Sequence, residues 1–484
     1  MHVTELPSNI PTKLLIGGVW RESNDSSSIS VIDPATTELL AQVANANVDD
    51  ARDAVAAAYE AQPKWESAAP RERGEVLRKA FEIMRSRSEE IARVMVLENG
   101  KAISDARSEV AYAAEFFRWY SEEAVRISGS ISRAPSGSNE IIVMRKAIGV
   151  AVLVTPWNFP AAMATRKIGP ALAAGCSVIL KPASDTPLTA LMLGQILEEA
   201  GVPAGVVNII PSSHSSKVVS NILHDPRVRK LSFTGSTEVG RTLLAEASDN
   251  IISASMELGG NAPFIVFADA DLDAAVSGAM LAKMRNGGEA CTAANRFYVQ
   301  APAAEEFVRK LSEAMSALRI GPGLEEDTQL GPLINAPAIK KVQSLVGEAV
   351  GSGAKIRLGG NAIDRKGYFF QATVLGEVPP GSEILKEEIF GPVAPIVPFE
   401  SEDEVVALAN DTDYGLVSYL YTGDLKRGMR MAERLECGMI GLNRGLVSDP
   451  AAPFGGVKQS GLGREGGHEG VLEYTETKYI ATSW

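Results

Sequence analysis

Cys291 is the residue of this chain best placed to act as a nucleophile. It lies in Gly287-Gly288-Glu289-Ala290-Cys291-Thr292-Ala293, a run of small side chains just ahead of the strand-like Phe297-Tyr298-Val299. Neighbours this small let a substrate and a second molecule reach the sulfur, and leave the Cys291 N–H free to face that substrate. A lone cysteine is more often a small buried hydrophobe, and Cys176 and Cys437, set against apolar segments, read as such core residues. A free thiol, with a pKa of about 8.5, also needs a base or a field before it becomes a thiolate. Asn158, in the proline-bounded run Thr155-Pro156-Trp157-Asn158-Phe159-Pro160, carries an amide able to donate to an oxyanion, though a turn residue would read the same. Glu257, in Met256-Glu257-Leu258-Gly259-Gly260, reads as readily as a surface-loop carboxylate as a general base. Arg166 and Arg285 could grip a carboxylate bidentately, with Ser448 as a further donor. Either arginine alone is equally an ion-pair partner.

A second constellation suits a phosphate. Gly235-Ser236-Thr237-Glu238-Val239-Gly240 follows an apolar run and opens a helical one ending near Ala247. Free N–H groups and the helix dipole at such a junction attract anions. The GxGxxG fingerprint of ordinary dinucleotide folds is missing, so the loop alone is also a tight turn with a capped helix. No HxxxH or CxxC occurs among the four histidines and three cysteines, and no metal site is expected.

These residues need elements to carry them. The 484 residues suggest about three domains, and 45% hydrophobic with 22% charged residues is an ordinary globular composition. A net charge of −13 argues against nucleic acid or an anionic membrane surface as a partner. No apolar run approaches a membrane span, and Met1-His2-Val3-Thr4-Glu5-Leu6-Pro7 lacks a signal-peptide pattern. Three scattered cysteines suit a reducing compartment, so a cytoplasmic location is expected. Residues 13–45 read as short strands and turns. From Val48 to about Arg126 the pattern is helical, with Pro63 and Pro70 expected to break it. The runs at 150–154, 177–180, 206–210 and 230–233 are strands alternating with helices at 161–173 and 189–200. That alternation predicts an α/β fold with a parallel, doubly wound sheet, and a second series from Ala262 to about Asn443 predicts another α/β unit.

The ordered motifs from Thr155-Pro156-Trp157-Asn158 through Leu180-Lys181-Pro182-Ala183-Ser184, Phe233-Thr234-Gly235-Ser236, Met256-Glu257-Leu258-Gly259-Gly260 and Cys291 continue to Glu388-Ile389-Phe390-Gly391-Pro392 and Pro453-Phe454-Gly455-Gly456. This set closely resembles the aldehyde dehydrogenase superfamily over essentially the whole chain. The resemblance implies a Rossmann-like cofactor domain (1–126 and 144–257) and an α/β catalytic domain (258–445). It implies oligomerisation strands (127–143 and 469–484), a return segment (446–468), and a homo-oligomer, dimer or tetramer. It also implies that Cys291 is the nucleophile, that Asn158 and the Cys291 N–H hold the oxyanion, and that Glu257 is the base for thioester hydrolysis. Thr155, Pro156, Trp157, Lys181, Ser184, Gly235, Ser236, Glu388 and Phe390 would then meet the cofactor. Residue 184 would read the 2′ position of the adenosine ribose. A carboxylate there, ~4 Å from a 2′-phosphate, would repel it by about 4 kcal/mol per unit charge at an effective dielectric near 20. Ser184 removes that repulsion, which favours NADP, with NAD still accepted.

Arg166, Arg285 and Ser448 resemble the substrate grip of the succinate-semialdehyde dehydrogenase branch. The expected reaction is therefore oxidation of succinate semialdehyde to succinate, or of another anionic aldehyde such as glutarate semialdehyde or sulfolactaldehyde. Intact Cys291, Glu257 and Asn158 weigh against a non-catalytic binding protein of this fold, and Glu257 weighs against a CoA-acylating enzyme. Two departures stand out. Ala293 replaces a second cysteine that many members of that branch carry, and Glu289 replaces the more usual glutamine, with an expected effect on local electrostatics.

Overall fold

In the computed structural model, which describes residues 6–7 and 9–483, two sheets present their strand ends to one another across the site. The expectation attached to Met1–Glu5 lies outside the described residues. The first sheet has five parallel strands in the order Val207–Ile209, Val178–Lys181, Val150–Val154, Val228–Thr234 and Ser253–Glu257. All five residues of Val150–Val154 are buried, as a strand covered by helices on both faces must be. The hairpin of Leu14–Ile16 and Val19–Arg21 closes one edge, antiparallel to Val207–Ile209. At the other edge Gly461–Leu462 pairs with Met256 and Glu257.

The second sheet orders Lys355–Leu358, Thr373–Gly376, Val393–Phe399, Ala294–Gln300, Ala262–Val266, Val417–Tyr421 and Met439–Leu442, parallel except for its first pair. A third sheet stands apart: Thr475–Thr482 runs antiparallel to Glu140–Ala147, which pairs in turn with Ser130–Arg133. It exposes Ile131, Met144, Tyr479 and Ile480.

One expected break is absent. Pro63 sits inside the single helix Val48–Ser67. A proline in a helix interior costs about 3 kcal/mol through its missing N–H and ring clash. Here it lies on the solvent face between two anchors, buried Trp65 and Gln62, whose amide bonds Gly175 O and Ser177 N across the core. Pro70 behaves as expected, opening the helix Pro70–Ser86 at its first position.

The parallel strands set the chemistry. Glu257 is the last residue of its strand, Asn158 follows Val150–Val154, and Cys291 lies three residues before the start of Ala294–Gln300. Ligands in open α/β sheets bind beyond such strand ends.

Candidate active site

A cavity of about 290 Å³ opens between the two sheets, with Asn158, Cys291, Trp157, Gly235, Ser236, Glu388 and Phe390 in its wall. Two glycines make this meeting feasible. A Cβ on Gly260 would stand 2.5 Å from the Cys291 carbonyl oxygen, and one on Gly259 would stand 3.1 Å from Glu388 Oε2. Without those side chains the loop after Glu257 lies against the Cys291 backbone, and the Gly260 N–H donates to Glu388 Oε1 at 3.2 Å.

The thiol is half-buried, and burial pushes it up to about 12. Arg166 and Arg285 pull it down; Glu388 and Glu257 push it up. The resting group is therefore a thiol. Cys176 is fully buried, as expected. Cys437 is half-buried and packs against the core of the second sheet, with its Sγ 3.2 Å from Met439 O.

Glu257 is buried with Oε2 unpartnered, and its carboxyl lies well above the ordinary carboxylate range. Burial is the main cause, reinforced by the nearby charge of Glu465. Glu465 goes the other way. Burial would raise it, but Arg166 and Lys167 hold it below its usual range. Burial and charge thus drive the two carboxyls in opposite directions, Glu257 toward its neutral form and Glu465 toward its ionised form.

The Asn158 Nδ2 donates to the Glu289 carbonyl at 3.0 Å while its Oδ1 has no partner. The Glu289 carboxyl accepts the Ile334 N–H at 3.1 Å and is raised by burial to about 8. Burial thus favours the neutral form of the carboxyl that stands in place of the usual glutamine.

Arg166 is fully buried, within 2.5 Å of Glu465 Oε2, and its guanidinium carbon lies 4.2 Å over the Phe454 ring. The Nε edge of its guanidinium is thus spent on an ion pair. Arg285 lies 5.2 Å over the Phe159 ring and forms no ion pair among the described residues. Both arginines and Ser448 surround the phenol of Tyr112, a residue sequence reasoning missed. Tyr112 lies on the helix Ile103–Glu123, packed edge-on to Phe116 at 4.9 Å. Nothing local distinguishes it from a core aromatic, and only long-range packing brings it here.

The cavity suits a dinucleotide's reactive end. Thr234 Oγ1 is buried without a partner in its wall, Ser236 caps the helix Thr237–Ala247 by accepting the Val239 N–H, and Trp157 packs edge-on to Phe390 at 5.4 Å. Phe390 adopts φ 55°, a strained conformation for a bulky residue. Thr155 stays outside the wall, its N–H donating to the Lys181 carbonyl at 3.2 Å. Lys181 is buried and lowered to about 8, with Asp185 pulling it back up. Ser184 and Asp185 line a separate 220 Å³ cavity with Glu98 and Asn335, so the structure does not bring Ser184 to the wall around Cys291. Among the described residues no cluster of His, Cys, Asp or Glu could hold a metal, and no helix is long and apolar enough to cross a membrane.

The chain is similar to known proteins over nearly its whole length. The aldehyde dehydrogenase family profile matches residues 20–480. A succinate-semialdehyde dehydrogenase of Paenarthrobacter nicotinovorans is 55% identical over 91% of this chain and 98% of its own length. A glutarate-semialdehyde dehydrogenase of Pseudomonas aeruginosa is 48% identical, with 96% of each chain covered. A solved structure described as an E. coli NADP dependent enzyme superposes with a TM-score of 0.97 at 46% identity, covering 99% of both chains. Similarity of this extent takes in both sheets and every residue of the cavity wall, and the chain belongs to the aldehyde dehydrogenase family.

Proposed function

We propose that this protein oxidises succinate semialdehyde to succinate with NADP, accepting NAD less well, in the cytoplasm. One observation carries the substrate class: two guanidinium groups, Arg166 and Arg285, meet Tyr112 and Ser448 close enough to Cys291 to shift its thiol. Glu465, the partner of Arg166, is shared with Lys167, and Arg285 forms no ion pair among the described residues, so positive charge is left to suit an aldehyde with a carboxylate at its far end.

Each residue then has a task. Cys291 sulfur adds to the aldehyde carbon as Glu257, in its ionised form, takes the thiol proton and passes it to solvent, and the carbonyl oxygen turns toward the Asn158 amide and the Cys291 N–H. NADP, when bound, would supply the hydride acceptor, and the residues that would hold it are Thr155, Pro156, Trp157, Gly235, Ser236, Glu388 and Phe390, with Lys181 and Ser184 toward the adenosine. Glu257 next takes a proton from water. The resulting hydroxide attacks the thioester, the C–S bond breaks, and the departing Cys291 sulfur takes the proton back from Glu257.

The test is kcat/KM for succinate semialdehyde, glutarate semialdehyde and butanal with each cofactor. Succinate semialdehyde is expected to exceed butanal by roughly 10- to 100-fold, as a buried charge-assisted bond contributes about 1.5–3 kcal/mol. Preference for glutarate semialdehyde would favour the second reading, which rests on the Pseudomonas relative. Arg285→Ala is expected to raise KM for the semialdehyde by a similar factor and leave that for butanal nearly unchanged. Arg166→Ala should damage both substrates, because removing one partner of a buried ion pair costs about 3–5 kcal/mol. Equal losses for the two substrates in Arg285→Ala would sink the carboxylate assignment.

Ser184→Glu is expected to shift the kcat/KM ratio toward NAD by repelling a 2′-phosphate. An unchanged ratio would mean that residue 184, in its separate cavity, does not read the 2′ position. A homo-oligomer, dimer or tetramer, is supported by the apolar side chains exposed on the third sheet, and the three free cysteines support the location.

A further inference from the structure

Behind Asn158 lies a set of buried polar groups absent from the cavity wall. Lys101 sits between the helices Ser88–Asn99 and Ile103–Glu123, its side chain 1% exposed. Its Nζ donates to Glu109 Oε2 at 2.6 Å and to the Asn158 carbonyl at 2.8 Å, and lies 4.5 Å over the Phe159 ring. Glu109 uses its other oxygen to accept the N–H groups of Ala161 and Ala162, at 2.9 and 3.2 Å. These open the helix Pro160–Ala174, which carries Arg166. Asn286 completes the clamp. Its Nδ2 donates to the Asn158 carbonyl at 3.0 Å and to the Glu289 carbonyl at 2.9 Å, the same oxygen that receives the Asn158 side chain. Asn286 holds φ 54°, and its N–H donates to Asp105 Oδ2 at 3.1 Å.

A buried ion pair gives little net stability over apolar groups of the same volume, so the consequence of Lys101–Glu109 lies in direction. The ammonium fixes one carbonyl, that of Asn158, in relation to the first turn of the next helix. With its main chain held at the carbonyl and its side chain held at Glu289, Asn158 keeps one amide hydrogen free.

We propose that Lys101 is a positioning residue for the oxyanion donor: braced by Glu109, it fixes the Asn158 main chain so that the free amide hydrogen meets the oxygen of the adduct on Cys291. This rests on Asn158 being that donor. Small misplacements of catalytic groups cost up to about 10²-fold in rate.

The experiment compares Lys101→Met, Lys101→Arg, Asn158→Ala and the Lys101→Met/Asn158→Ala double variant. Steady-state turnover, NADP affinity by Trp fluorescence and the isotope effect from aldehyde deuterated at C1 are measured for each. Lys101→Met is expected to lower kcat by about 10²-fold with NADP affinity retained, and Lys101→Arg to recover part of the loss. Both single variants should show a larger isotope effect on kcat, and the double variant should be little slower than Asn158→Ala. Losses that multiply in the double variant would overturn the proposal, since Lys101 would then act independently of Asn158. An Asn158→Ala enzyme of undiminished rate would instead overturn the donor reading beneath it. Should Lys101→Met fail to fold, Glu109→Gln takes its place: a loss shared with Asn158→Ala supports the brace, and a loss that multiplies with it overturns the proposal.

Discussion

Cys291→Ala is expected to abolish aldehyde oxidation while NADP still binds. The thiol supplies the only covalent anchor that turns a planar aldehyde carbon into a tetrahedral one able to release hydride. Removing a covalent nucleophile from a preorganised site costs on the order of 10⁶ in kcat. Neither remaining cysteine can stand in. Cys176 is fully buried and raised by that burial to about 11, and Cys437 lies outside the cavity wall. Absorbance of NADPH gives the rate. Quenching of Trp157, which lines the cavity, reports binding. Appreciable turnover by the alanine variant would move the chemistry to another residue.

Glu257→Gln is expected to divide the reaction in two. The first oxidation still yields up to one NADPH per site, at a reduced rate, and the acyl group then stays on Cys291, because water lacks its base. General-base catalysis contributes about 10²–10⁴-fold, and steady-state turnover should fall by that much. The acyl adduct is visible by intact mass. The pH profile carries a second signature. Only ionised Glu257 can accept a proton, and its carboxyl lies well above the ordinary carboxylate range. Deacylation in the native enzyme should therefore climb with pH through that raised value. The glutamine variant should lose this rise. A native deacylation rate that stays flat with pH would remove Glu257 from the role.

The places of Cys291, Glu257 and Asn158 near strand ends were legible in the sequence because each sits in a contiguous motif beside a strand, and a strand end fixes a residue's place in a doubly wound sheet. The alternation of 150–154, 177–180, 206–210 and 230–233 revealed that sheet for the same reason: buried strands read as unbroken apolar runs. Pro63 misled because local propensity yielded to the anchoring of Gln62 and Trp65. Tyr112, Lys101 and Asn286 carry no local signal. Their partners lie far along the chain, and a tyrosine on an Ala-rich helix looks like packing until Arg166 and Arg285 arrive beside it. Arg166 is the intermediate case. Its proximity to the thiol was readable by family resemblance, but its buried pairing with Glu465 was not.

The third sheet bears on how the chain is made. Glu140–Ala147 finds its long partner only in Thr475–Thr482, with all eight positions paired. During synthesis, a ribosome adding roughly 5–20 residues per second takes tens of seconds to span that interval. Throughout it, the hairpin of Ser130–Arg133 and Glu140–Ala147 presents an unfilled edge, a template for any passing strand. Glu140 at one end of the strand and Arg145 and Lys146 near the other flank the apolar Ile141, Ile142, Val143 and Met144 and charge the ends of that edge, which blunts such pairing while the chain waits for its own.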